Sequence, residues 1–219
     1  MQNLNILYED EHLVAVEKPR GILTVATNLD KKNLLQEVKD FYKNKNIMAP
    51  RIRPIHRLDK GTSGIVLFAK TKECFNQAVN KQKFNKAVKT YLAIVIGTIR
   101  PKVGVISLKL PSRKDENTLL DAVTKYQLVK EYSIKENNFS LLKAEISSGK
   151  FHQIRRHFEM INHPLLMDRD YMDKEQYKYY QRVVSFRYYF LHAEKIKFKH
   201  FITGEPVTII SPSPKNPLE

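Results

Sequence analysis

The chain has 219 residues, 42% hydrophobic and 28% charged, the proportions of a globular protein large enough to bury a full core. Lysine and arginine number 38 against 23 acids, and the resulting +15 favours a polyanionic partner, nucleic acid first, while leaving DNA and RNA undistinguished. No apolar run approaches the roughly 18 residues of a membrane helix, and no basic-then-apolar leader opens the chain. The single Cys74 excludes an internal disulfide and argues against a zinc site, so a cytoplasmic protein is expected.

In chain order, residues 6–18 read as strand, acidic turn and strand, broken by Pro19 and Gly21. Residues 31–44 place Leu34, Leu35, Val38, Phe41 and Tyr42 at helical spacing, with Asp30 available as a cap. Residues 44–53 are basic and contain Pro50, which predicts a loop. That loop feeds the polar turn His56-Arg57-Leu58-Asp59-Lys60-Gly61-Thr62-Ser63-Gly64, which passes directly into the apolar run 65–69. Asp59 therefore lies in a tight, glycine-bracketed loop at the edge of the core, two residues after Arg57. Residue types alone allow two roles for it: a carboxylate held at the mouth of a cleft, or half of an ion pair that ties a loop.

Thr71 caps a predicted second helix with Phe75, Ala78 and Val79 on one side. Residues 89–97 alternate as a strand that puts Tyr91, Ala93 and Val95 on one face. Residues 97–117 read as loops around a short strand over 105–110. Residues 122–132 and 139–147 form a predicted antiparallel hairpin joined by 135–138. The period changes after Gly149: Ile154, Phe158 and Ile161 predict a helix starting near His152, with Arg155 in its first turn and free N–H groups suited to an anion. Residues 171–189, crowded with Tyr, Lys and Arg, read as a helix or a flap. Their composition suits stacking on unpaired bases and an ordinary amphipathic surface equally. Residues 212–219 read as a loose tail.

Several of these stretches resemble one known family. His56-Arg57-Leu58-Asp59 and Thr62-Ser63-Gly64 match, in order and spacing, the H-R-L-D-x-x-T-S-G motif of the RluA family of RNA pseudouridine synthases. Lys18, Pro19 and Gly21 resemble its opening Lys-Pro-x-Gly, and residues 89–97 its K-x-Y-x-A-x-V-x-G segment. Gly149, His152, Gln153, Ile154, Arg155, His163, Pro164 and Asp168 resemble its third motif, and Leu191-His192-Ala193 its closing strand. The chain departs from the pattern at Lys150-Phe151, where Arg-Thr or Arg-Ser is usual, and at Met167 and Met172, where glycines are usual. His200-Phe201 stands in place of His-Pro. Arg155-Arg156 with His157 is similar to the tRNA-acting TruC branch. The matches span residues 6 to about 210, so a single catalytic domain over 1–219 without an N-terminal S4-type domain is expected.

The resemblance implies a mixed α/β fold with a largely antiparallel central sheet and an active cleft across its middle; no alternating βαβ array argues otherwise. It implies an isomerase converting specific uridines of tRNA or 23S ribosomal RNA to pseudouridine, with no metal or organic cofactor and as a monomer. Asp59 would be the catalytic carboxylate, Arg155 its ion-pair partner and Tyr91 the active-site phenol that stacks on a flipped uracil. Arg57 would fill the space the uracil vacates. His56, Lys18, Lys150, His152 and Gln153 would contact RNA. Two other readings compete. A non-catalytic RNA-binding or ribosome-assembly module would need Asp59 or Tyr91 replaced, and neither is. A nucleoside hydrolase would want two cooperating carboxylates, and the motifs' central positions hold one.

Overall fold

The structure, a computed structural model, describes residues 4–25, 33–44 and 51–219. In chain order the elements are β1 (Ile6–Glu9), β2 (Leu13–Lys18), α1 (Leu34–Asn44), β3 (Arg53–Pro54), β4 (Ser63–Ala69) and α2 (Lys72–Phe75). There follow β5 (Val88–Ile96), β6 (Val103–Ser107), β7 (Leu110–Pro111), β8 (Leu119–Leu120), β9 (Val123–Ile134) and β10 (Asn137–Ile146). The chain closes with α3 (Gln153–Met160), α4 (Lys174–Val183), β11 (Leu191–Lys199) and β12 (Pro206–Ile210). The class is mixed α/β, as expected. Two compact units divide it: Met1–Val88 with Ala193–Pro212, and Lys89–His192 with Ser213–Glu219. Among the described residues no helix is long and apolar enough to cross a membrane.

In the first unit β2 runs antiparallel to both β1 and β4, with Ala15 opposite Leu67 and Glu17 opposite Ile65. The run 65–69 shows no polar alternation because β4 is buried on both faces. Leu13, Ala15, Ile65 and Leu67 pack with Ile196, Phe198 and Ile209 against Cys74, Ala78 and Ala87. Thr71 caps α2 as predicted, its hydroxyl accepting from Cys74 N at 3.2 Å, and a π-helical turn over Asn76–Asn80 continues the segment. Asp30 lies outside the described residues; Asn33 caps α1, its side chain accepting from Gln36 N at 3.1 Å.

In the second unit β10 lies between β5 and β9, with β6 beyond β9, and all these pairs are antiparallel. The predicted hairpin is present but tighter: β9 and β10 extend to a two-residue turn in which Lys135 and Glu136 take φ of 47° and 65°. The strand predicted over 105–110 is instead β6 followed by the small β7–β8 hairpin. Within residues 171–189, Asp173 caps α4 by accepting from Glu175 N and Gln176 N at 2.9 and 2.8 Å. Tyr177 faces the core of Leu92, Ile94, Phe139 and Leu166. The tail is not loose. Leu218 packs on that same core, and Glu219 accepts from Lys130 Nζ at 2.9 Å and the Tyr132 hydroxyl at 2.8 Å.

Candidate active site

The loop carrying Asp59 is pinned from one side by the segment after β2. Thr24 Oγ1 donates to Leu58 O at 3.0 Å and accepts from Leu58 N at 3.1 Å, while Gly21 N donates to Lys60 O at 2.8 Å. Thr62 N donates to Asp59 O at 3.1 Å, closing the turn before β4. Gly64 then takes φ of +107°, and a Cβ there would stand 2.3 Å from Ala193 O, so only glycine lets the two backbones approach. Asp59 itself is half-buried and Arg57 exposed.

Lys18, expected at the RNA, is fully buried. Its ammonium donates to Pro19 O at 3.0 Å, Ile22 O at 2.9 Å and Lys60 O at 3.4 Å. Burial pushes its pKa down to about 8, against the raising effect of the Asp59 charge and with a smaller lowering from Arg20. The structure thus brings Lys18 and Asp59 into one electrostatic neighbourhood and uses Lys18 to brace the loop. His56 is likewise built into the scaffold: Nε2 accepts from Leu67 N at 3.2 Å, and the ring stacks on Phe84 at 4.8 Å.

The second unit carries the other predicted residues. Tyr91 lies on β5, opposite Ala144 of β10, and is 7% exposed. His152 precedes α3 with a left-handed φ of 52°, and Arg155 follows in the first helical turn. The Arg155 guanidinium is 3% exposed and donates to both oxygens of Asp168, from Nε at 2.7 Å and Nη2 at 2.6 Å. Nη2 also meets Asp170 at 2.6 Å, and Nη1 lies 3.1 Å from His152 Nε2. The rings of Tyr171 and Tyr189 lie 4.9 and 4.5 Å from the cation. Burial alone would lower the arginine's pKa; the hydrogen bonds and charge of Asp168 more than offset this, so the net shift is upward and Arg155 stays charged.

Gln153, expected at the RNA, is buried and fully engaged. Nε2 donates to Val123 O at 2.9 Å, and Oε1 accepts from Ser148 Oγ at 2.8 Å and Lys150 N at 3.1 Å. Arg156 and His157 hold the β7 region: Arg156 Nη1 donates to Pro111 O at 2.9 Å, and His157 Nε2 to Leu108 O at 3.0 Å. Burial is the main cause of the lowered His157 pKa. Met167 has a φ of +66°, which accounts for glycine in the pattern it departs from. Asp170, Tyr171 and Tyr189 were not singled out from the sequence. The available signal was an Asp-x-Asp-Tyr run some fifteen residues after Arg155, where a buried cation would need partners.

The family model described as RNA pseudouridylate synthase matches residues 12–160, a span that enters both units. The chain belongs to the RNA pseudouridine synthase family. It is 32% identical to "tRNA pseudouridine synthase C" of Pasteurella multocida, over 94% of this chain and 90% of that protein. It is 29% identical to "Ribosomal large subunit pseudouridine synthase D" of Vibrio cholerae, over 99% of this chain and 69% of that one. Among solved structures, "Human RNA Pseudouridylate Synthase Domain Containing 1" shares the fold, with a TM-score of 0.80 at 20% identity, covering 99% of this chain and 86% of that one. The synthase is therefore an isomerase acting on uridine in RNA.

Proposed function

We propose that this synthase modifies tRNA, with Asp59 as the catalytic carboxylate. The observation that carries the role of Asp59 is its loop: the H-R-L-D-x-x-T-S-G sequence is fixed by Lys18, Gly21, Thr24 and Gly64 around one half-buried acid. The isomerisation breaks the C1′–N1 bond, turns the uracil and joins C1′ to C5; the C5 proton leaves and N1 gains one, so no electron carrier enters. Such chemistry uses an ionised carboxylate, a cation that keeps it ionised and a group to hold the base. Arg155, kept charged by Asp168, and Tyr91 supply the other two in this reading, and Arg57 fills the space left by the flipped nucleotide. Asp59 acts on the sugar or the base, or takes a 2′ proton to give a glycal; the reading holds for each route. The enzyme works in the cytoplasm as a monomer.

The tRNA assignment draws on similarity to the Pasteurella protein over nearly its whole length. Similarity to the Vibrio large-subunit enzyme favours ribosomal RNA as the second reading. Mapping pseudouridines in total tRNA and ribosomal RNA from cells with and without the protein separates them. A site lost only from tRNA is expected; a site lost only from 23S RNA overturns the first reading in favour of the second.

A further inference from the structure

The departure from the family pattern at Phe151 falls at a telling place. A large aromatic stands where Thr or Ser is usual, and it is 41% exposed, so it is not serving the core. Its ring stacks on His152 with 3.7 Å between centroids and 22° between planes. The His152 ring is itself fixed: Nδ1 pairs with the Tyr171 hydroxyl at 2.9 Å, and Nε2 lies 3.1 Å from Arg155 Nη1. The Phe151 ring therefore has a rigid backing tied to the guanidinium that Asp168 holds. Its other neighbour is of a different kind. The Arg113 guanidinium, on an exposed side chain in the β7–β8 turn, lies 5.1 Å from the ring centroid. A solvent-exposed cation–π contact is weak, and a long arginine leaves it easily.

We propose that Phe151 is a stacking platform for an unpaired RNA base next to the target uridine, with Arg113 moving from the ring to an adjacent phosphate as the base arrives. The assignment rests on the proposed role of Arg155, which makes the neighbourhood of His152 part of the site. The chemical class of ligand follows from the parts. An exposed aromatic face backed by a fixed imidazole accepts any base through its π surface, and flanking arginine and Lys150 suit the phosphodiester on either side. The contact discriminates single-stranded from paired RNA rather than one base from another. It belongs to this chain's own sequence, since the family pattern has no aromatic at this position.

The chain contains no tryptophan, so Phe151→Trp introduces a lone indole reporter at the platform. Three proteins are compared on a tRNA transcript: wild type, Phe151→Trp and Phe151→Leu, each checked for an unchanged unfolding midpoint. Leucine keeps apolar bulk without a π face. The expected result is a KM for RNA raised on the order of tenfold in Phe151→Leu, with a smaller fall in kcat. Phe151→Trp is expected to recover the wild-type KM, with indole emission quenched as RNA is added. A wild-type KM in Phe151→Leu overturns the platform, as does an indole signal that RNA leaves unchanged. Because the indole reads binding alone, it judges the platform even if the wild-type chain forms no pseudouridine, a result that would instead overturn the proposed function.

Discussion

Asp168 holds the Arg155 guanidinium by two near-parallel hydrogen bonds, of 2.7 and 2.6 Å, with the carboxylate fully buried and the arginine almost so. Asp170, which also meets Arg155, is 63% exposed and is a weaker substitute for a buried counter-charge. Removing Asp168 takes two charge-assisted hydrogen bonds from a buried cation. Asp168→Ala should therefore lose about 3–5 kcal/mol of stability. Urea denaturation checks this; a loss under about 1 kcal/mol would place the pair among the weakly contributing surface bridges.

For Asp59 the informative change is to Asn, which keeps size and hydrogen bonding while removing charge. If Asp59 only tied the loop, Asn would still serve and turnover would fall modestly. As the catalytic carboxylate it has no substitute, since residues 56–70 contain no other acid. Asp59→Asn should bind RNA with near wild-type affinity and form no detectable pseudouridine in a mass-spectrometric assay of digested RNA. Near-normal turnover would sink the assignment.

Lys18 makes stability depend on pH in a known direction. Its folded pKa is about 8, below the ordinary 10.5, so between those values the unfolded chain holds the proton more tightly than the folded one. The contribution of Lys18 to stability should accordingly rise as pH climbs through 8 towards 10.5. Lys89, also lowered to about 8 by burial, acts in the same sense. The stability difference between wild type and Lys18→Met, measured by denaturant at pH 7.5 and 9.5, isolates the first residue. A difference that shrinks with pH contradicts the burial described.

Gly64→Ala tests the loop's geometry without touching a polar group. The new Cβ would meet Ala193 O at 2.3 Å in a left-handed backbone, so both overlap and strain oppose it. A destabilisation of about 2–4 kcal/mol is expected, with lost activity to match. An unchanged melting temperature would mean that β4 shifts freely, which its full burial argues against.

RNA affinity should fall steeply with salt, given the +15 surplus. Each phosphate neutralised adds roughly 0.7 to 0.9 to the slope of log affinity against log salt. Filter binding between low and physiological ionic strength measures it. A flat response would favour a small-molecule substrate and revive the nucleoside hydrolase.

Local patterns made much of the fold legible. Thr71 marks a helix start, the strand candidates 122–132 and 139–147 mark a hairpin, and the unbroken apolar run after Gly64 is a strand buried on both faces. What stayed hidden depends on partners distant in sequence. Nothing beside Lys18 says that its ammonium will meet Lys60 O, and a lysine before a Pro/Gly break reads as a surface cation. Gln153 likewise looked like a ligand for RNA until Val123 O claimed its amide. The docking of residues 213–219 needed Tyr132 and Lys130, over 80 residues upstream. Asp168 was visible as a motif match, but its service to Arg155 is a matter of geometry and not of spacing.

The sheet of the first unit takes β11 and β12 from the far end of the chain, after the whole of residues 89–192. On the ribosome, Cys74, Ala78 and Ala87 follow β4 directly, but Leu13, Ala15, Ile65 and Leu67 lack Ile196, Phe198 and Ile209 until the end of synthesis. At ~5–20 residues per second that delay is on the order of ten seconds, long enough for a nascent-chain chaperone to bind. Strands β5 to β10 of the second unit, by contrast, are contiguous in sequence. A chain stalled near residue 190 would carry the Asp59 loop on a sheet that still lacks β11 and β12.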